Sequence, residues 1–87
     1  MLLLQINYGK KRIIIMRNAD RLDYMYDEMC RLHKKYLPQW RYGQLCSNFF
    51  GWLIHTQGRD LFFPEEDEML KWFKMYLKEL VGDKFED

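Results

Sequence analysis

Four side chains in this 87-residue chain have the chemistry for metal binding or nucleophilic attack: Cys30, His33, Cys46 and His55. Cys30 and His33 stand three apart, which places them on one side of a helix. No second pair completes a tetrahedral ligand set, and neither Cys-x-x-Cys nor His-Glu-x-x-His occurs. A cysteine nucleophile needs a base in reach and a cleft around it. Here the histidines are isolated in sequence, and a chain this short encloses little space. Ser47 sits in no nucleophile elbow. These residues read as packing groups: two buried free thiols and a histidine near the rim. A disulfide would need an oxidising compartment. No catalytic residue, metal ligand or cofactor is expected.

Two charged sets are better candidates, and both point to binding. Glu65, Glu66, Asp67 and Glu68 follow one another directly. They lack the alternating oxygen spacing of a calcium loop. They suit the start of a helix, where free N–H groups and the dipole favour acids, and they offer an acidic face to a basic partner. The opposite set is Arg31, Lys34, Lys35 and Arg41, with Lys10, Lys11 and Arg12 further off. It could contact phosphates, although solvated charge explains it as well. Net charge is only +1, and it is unevenly spread. Residues 1–16 carry three bases and no acid, while residues 60–87 carry nine acids against four lysines. A chain with that balance does not read as a bulk nucleic-acid binder.

A third candidate runs through "WRYGQLCSNFF", residues 40–50. Arg41, Gln44 and Asn48 are spaced three and four apart and share one side of a helix. They either satisfy neighbouring backbone or face a partner. Arg41 suits both tasks, because its stem covers apolar surface while its guanidinium reaches an acid. Trp40, which begins the stretch, and Phe63 are the first aromatics to test for exposure.

The elements that must position these residues are helical. Asn18 is a fair N-cap for a first helix ending at Tyr36, before Pro38. Leu22, Met25, Met29, Leu32 and Tyr36 form its apolar stripe, and Asp27 can pair with Arg31. A second helix is expected from Trp40 to Ile54. It is apolar over most of its circumference, so it reads as the central helix. Gly43 and Gly51 are explained there by close helix–helix approach, with Ser47 helping in the same way. "HTQGRDLFF" is a loop turning at Gly58. Pro64 suits the first position of a third helix, whose buried face is Met69, Leu70, Phe73, Tyr76, Leu77 and Leu80. Gly82 caps it, and residues 83–87 read as a frayed tail. Ahead of all this, "LLLQI" and "RIIIM" flank "NYGKK". That pattern suits a short N-terminal β-hairpin over residues 1–16; a second reading makes them a leader ahead of a start at Met16. The fold class is therefore mainly α, a small three-helix domain over residues 17–82, with that hairpin in front.

The pattern from residue 18 to 80 resembles a group of small uncharacterised bacterial and phage proteins. The resemblance lies in Pro38, in Arg41-Tyr42-Gly43-Gln44-Leu45 with Asn48 after it, and in Asp60-x-Phe62-Phe63 leading to Glu65, Asp67 and Glu68. Gln39 and Trp40 depart from that group's usual acid and aliphatic residue, and Pro64 is a further departure. The resemblance implies a small accessory protein of a phage or mobile element, not an enzyme. By analogy with other small phage proteins, modulation of host defence is one role it implies.

Binding of a protein partner is the leading expectation. Its surface would be the corner between helices one and two (Arg31, Lys34, Lys35, Trp40, Arg41, Gln44, Asn48) plus the acidic start of helix three (Glu65, Glu66, Asp67). The competing expectation is a nucleic-acid-binding accessory protein, which strong salt dependence would reveal. A third is dimerisation through the hairpin edge. No apolar run approaches the ~20 residues of a membrane span, and no secretory signal is recognised, so the expected location is cytoplasmic.

Overall fold

The computed structural model describes residues 18–87. The hairpin or leader expected at 1–16 lies outside them, as does any dimer built on its edge. Among the described residues there is no strand, and three helices follow in order: α1 Asp20–Tyr36, α2 Tyr42–Gly51 and α3 Glu66–Val81. A π-helical turn, Trp52–Thr56, continues α2, and a 3-10 turn, Gly82–Lys84, continues α3.

Local chemistry explains most of the ends. The N-cap position of α1 is Ala19, one residue after the predicted Asn18, whose Oδ1 still accepts the Asp20 N–H at 2.9 Å. The helix leaves its α conformation at Leu37, where φ is −134°, one residue before Pro38. α2 begins two residues later than Trp40. The Trp40 N–H turns back to the Leu37 carbonyl at 3.1 Å, and Arg41 is extended. Gln44 Oε1 then accepts the Arg41 N–H at 2.7 Å, half of a capping box. α2 also stops short of Ile54. From Trp52 the helix widens, and the Gln57 N–H reaches back five residues to the Trp52 carbonyl at 3.1 Å. Asp60 Oδ2 accepts the Phe63 N–H at 2.8 Å and folds the next turn. That turn delays α3, so Pro64 precedes the helix by two residues instead of opening it. Gly82 ends α3 with φ +60°, a backbone conformation suited to glycine.

The central helix is α3, not α2. It supplies Leu70, Trp72, Phe73, Tyr76 and Leu77 to the buried core. α1 adds Leu32, α2 adds Leu45 and Phe49, and Leu37 and Leu53 come from the segments that follow α1 and α2. The aromatic rings lock α2 to α3. Phe49 meets Phe73 edge-on at 5.1 Å and Tyr76 at 5.5 Å, and Trp52 meets Tyr76 at 5.2 Å. Trp52 Nε1 then donates to Glu79 at 3.0 Å. Burying one such ring is worth about 1.5–3 kcal/mol by area. Trp72 was not on the expected buried face; Arg59 covers it, with its guanidinium 5.3 Å from the ring centre. Leu80, expected inside, is exposed.

Four further expectations are corrected. Among the described residues nothing lies within 4 Å of a Cβ built on Gly43 or Gly51, so none of the described helices approaches them closely. Cys30 is exposed and Cys46 only half-buried, and both are free. Arg31 pairs with Glu28, not Asp27, through two hydrogen bonds of 3.1 Å. The tail is not frayed: Phe85 packs in a tilted pair with Tyr36 at 5.1 Å, and Asp87 reaches three donors on α1.

Candidate protein-binding groove

α1 lies along α3, and the ring cluster ties α2 to α3. Between α1 and α2 an open groove of about 690 Å³ remains. Met25, Tyr26 and Met29 form the α1 wall; Tyr42, Cys46 and Phe50 form the α2 wall. Buried Leu45 and Phe49 line its base together with Met69. Phe62, Pro64 and Glu66 border the end nearest the start of α3. Three rings at the rim are largely in solvent: Tyr26 at 61%, Tyr42 at 76% and Phe62 at 65% of their full exposure. Phe63 packs edge-on against Phe62 at 4.8 Å and is 78% exposed. So much aromatic surface around one concavity marks an interaction site more than a closed core. Unbranched methionines let the walls re-pack around a guest.

Three polar groups of the groove are engaged. Glu66 accepts from Arg21 Nε at 2.7 Å, an ion pair that clamps the start of α3 to α1. His33 Nε2 lies 2.8 Å from the Trp40 carbonyl and holds the corner between α1 and α2. The Tyr42 phenol is raised above its ordinary pKa, first by its hydrogen bond to Cys46, then by that thiol's charge, burial and Tyr26. Among the described residues no group of three or more His, Cys, Asp or Glu side chains could hold a metal ion.

The candidates read from sequence fall in three places. Lys34 and Lys35 lie exposed near the end of α1, and Arg41 is exposed just before α2. Arg31 and Lys35 are occupied by the acidic tail, with Asp87 at 2.8 and 3.3 Å. Trp40 is half-buried against the core, and its carbonyl serves His33. Gln44 is spent on the Arg41 N–H, while Asn48 stands exposed on the outer side of α2. The acidic set sits at the other end of α1. Glu65 accepts the Met69 N–H through its carbonyl at 3.0 Å, Glu66 holds Arg21, and Asp67 accepts the Glu68 N–H at 2.8 Å. From Arg21 to Lys35 is about 20 Å of helix, so the basic corner and the acidic start of α3 are two ends, not one surface. The groove lies between them. Its rim residues Tyr26, Tyr42 and Phe62 were missed as site residues, and only Tyr26, off the α1 stripe, gave a signal.

No family model, no curated protein and no solved structure matches this chain.

Proposed function

We propose that this chain is a small accessory protein of a phage or mobile element, and that it acts by binding a protein and not by catalysis. The apolar face of a partner helix seats between α1 and α2. The observation that carries this reading is the groove, with its methionine walls and exposed aromatic rim. Met25 to His33 spans about 12 Å along α1, enough for two helical turns of anchors at i, i+4 and i+7. Charge gives the site a polarity. Lys34 and Arg41 stand at the corner between α1 and α2, and Glu66 borders the far end of the groove. A partner helix acidic at one end and basic at the other therefore enters in one orientation. The phage or mobile-element origin rests on the resemblance of residues 18–80, and modulation of host defence is one form such binding would take. A cytoplasmic location belongs to the same proposal and is supported by two free thiols. Among the described residues no helix is long and apolar enough to cross a membrane.

The second reading, a nucleic-acid-binding accessory protein, draws on the exposed Lys34 and Arg41. It is weakened by the acids that already hold Arg31 and Lys35. The test is affinity capture from native lysate, with and without nuclease, using the intact chain and a Tyr42→Ser/Phe62→Ser variant. A protein that survives nuclease and is lost with the variant supports the groove. Material lost on nuclease treatment favours the second reading. A protein retained equally by both chains removes the groove from the account.

A further inference from the structure

A second feature lies on α1 away from the groove, and it is independent of it. After Gly82–Lys84 the chain returns to α1 in an extended conformation, with φ −76° and ψ 121° at Phe85. Phe85 lies tilted against the Tyr36 ring, with centroids 5.1 Å apart, and packs against the core. Two residues on, the Asp87 carboxylate accepts from Tyr36 Oη at 2.7 Å, Arg31 Nη2 at 2.8 Å and Lys35 Nζ at 3.3 Å. The backbone takes part as well, because the Glu86 N–H donates to Tyr36 Oη at 2.8 Å. Only 18% of the Asp87 side chain remains exposed. An aromatic seat, a three-donor carboxylate cradle and a main-chain hydrogen bond together constitute recognition of a short extended peptide.

We infer that Arg31, Lys35 and Tyr36 form a binding site for an acidic peptide segment of the form aromatic-x-Asp, and that residues 85–87 fill it in cis. A partner protein presenting the same pattern competes for it. The occupant seated there defines the ligand chemistry. A nucleic-acid phosphate would satisfy Arg31 and Lys35, but it offers no N–H to Tyr36 Oη. The tethered segment competes at an effective concentration of order mM, so the intact chain masks the site and release of the tail opens it. Arg31 stays oriented meanwhile through its two bonds to Glu28.

The probe is a fluorescein-labelled peptide of residues 82–87, Gly-Asp-Lys-Phe-Glu-Asp, and the readout is anisotropy with the full chain. One variant, Glu86→Gln/Asp87→Asn, frees the cradle while keeping the Phe85 packing. A second, Phe85→Ala/Asp87→Asn, empties the seat entirely, and circular dichroism checks that both stay helical. The expected result is binding at least about tenfold tighter to the second variant than to the intact chain, since cis competition is removed, with the first variant in between because Phe85 still fills the seat. Binding should fall on Tyr36→Phe in the same background, and on Asp→Asn at the last position of the peptide. Tyr42→Ser/Phe62→Ser should leave it unchanged, so failure of the groove and failure of the cradle are separable. Equal binding to intact and variant chains overturns the inference, as does no binding to either variant. A single-stranded oligonucleotide that binds the variants while the peptide does not overturns it in favour of phosphate recognition.

Discussion

Phe49 divides the molecule into two unlike regions. On its α3 side it meets Phe73, Tyr76 and Trp52, all rings, at centroid distances of 5.1 to 6.3 Å. On its α1 side it lines an open groove walled by methionines and exposed tyrosines. Rings packed edge-on or tilted define few arrangements and exclude water. Thioether chains adopt many arrangements at little cost. One region therefore fixes the fold, while the other stays available. A small domain has little surplus stability, so leaving apolar surface unburied in one place requires dense aromatic packing in another.

The contrast can be broken most severely at Phe73, which is fully buried. Phe73→Ala should cost about 3–5 kcal/mol, read as a lower urea midpoint, and in a domain this small that approaches complete unfolding. A loss below 1 kcal/mol would mean that the ring cluster is not what holds α2 to α3. Gly51→Ala should move stability the other way, by about 0.5–1 kcal/mol, since a Cβ there meets nothing within 4 Å and the helix gains backbone restraint. A loss on that change would show that another body approaches α2 at Gly51. At the rim, Tyr42→Ser/Phe62→Ser should leave stability within about 0.5 kcal/mol while abolishing capture of the partner. A large destabilisation would make those rings part of the core, and the two regions would no longer differ.

What could be read from sequence was whatever local chemistry decides. The Asn18 bond to the Asp20 N–H at the start of α1, the acids opening α3 and Gly82 closing it depend on groups within a few residues. What could not be read depends on who packs against whom. α2 is apolar nearly all round, which suits a central helix, yet part of that surface lines an open groove and α3 takes the centre. Nothing local marks Trp52 as the point where the helix widens. Trp72 looked peripheral because its cover, Arg59, comes from a loop. The groove itself combines two helices and a turn, and none of the three announces it alone. The tail "DKFED" is charged and short, and only the placement of Tyr36 and Arg31 opposite it gives it a seat.

That tail supplies the smallest and sharpest test. The Asp87 carboxyl is lowered from its ordinary 3.8 to about 2, first by the Tyr36 hydroxyl and then by Arg31, against an opposing effect of burial, with a lesser contribution from Lys35. A carboxyl whose folded pKa lies below its unfolded value stabilises the folded form above the unfolded pKa. It loses that contribution as pH falls through the folded pKa. The Phe85–Tyr36 contact should thus be intact above pH 4 and come apart between about 4 and 2, while the ring cluster around Phe49 persists until global acid unfolding. An NMR titration that follows the Asp87 carboxyl and the Phe85 ring separates the two events. Tyr36→Phe removes the leading cause and should bring the Asp87 midpoint back toward 3.8. High salt should raise it too, because Arg31 and Lys35 are exposed enough to be screened. If Asp87 instead titrates near 3.8 in the intact chain, its carboxylate is not seated on α1, and the peptide cradle on Arg31, Lys35 and Tyr36 falls with it.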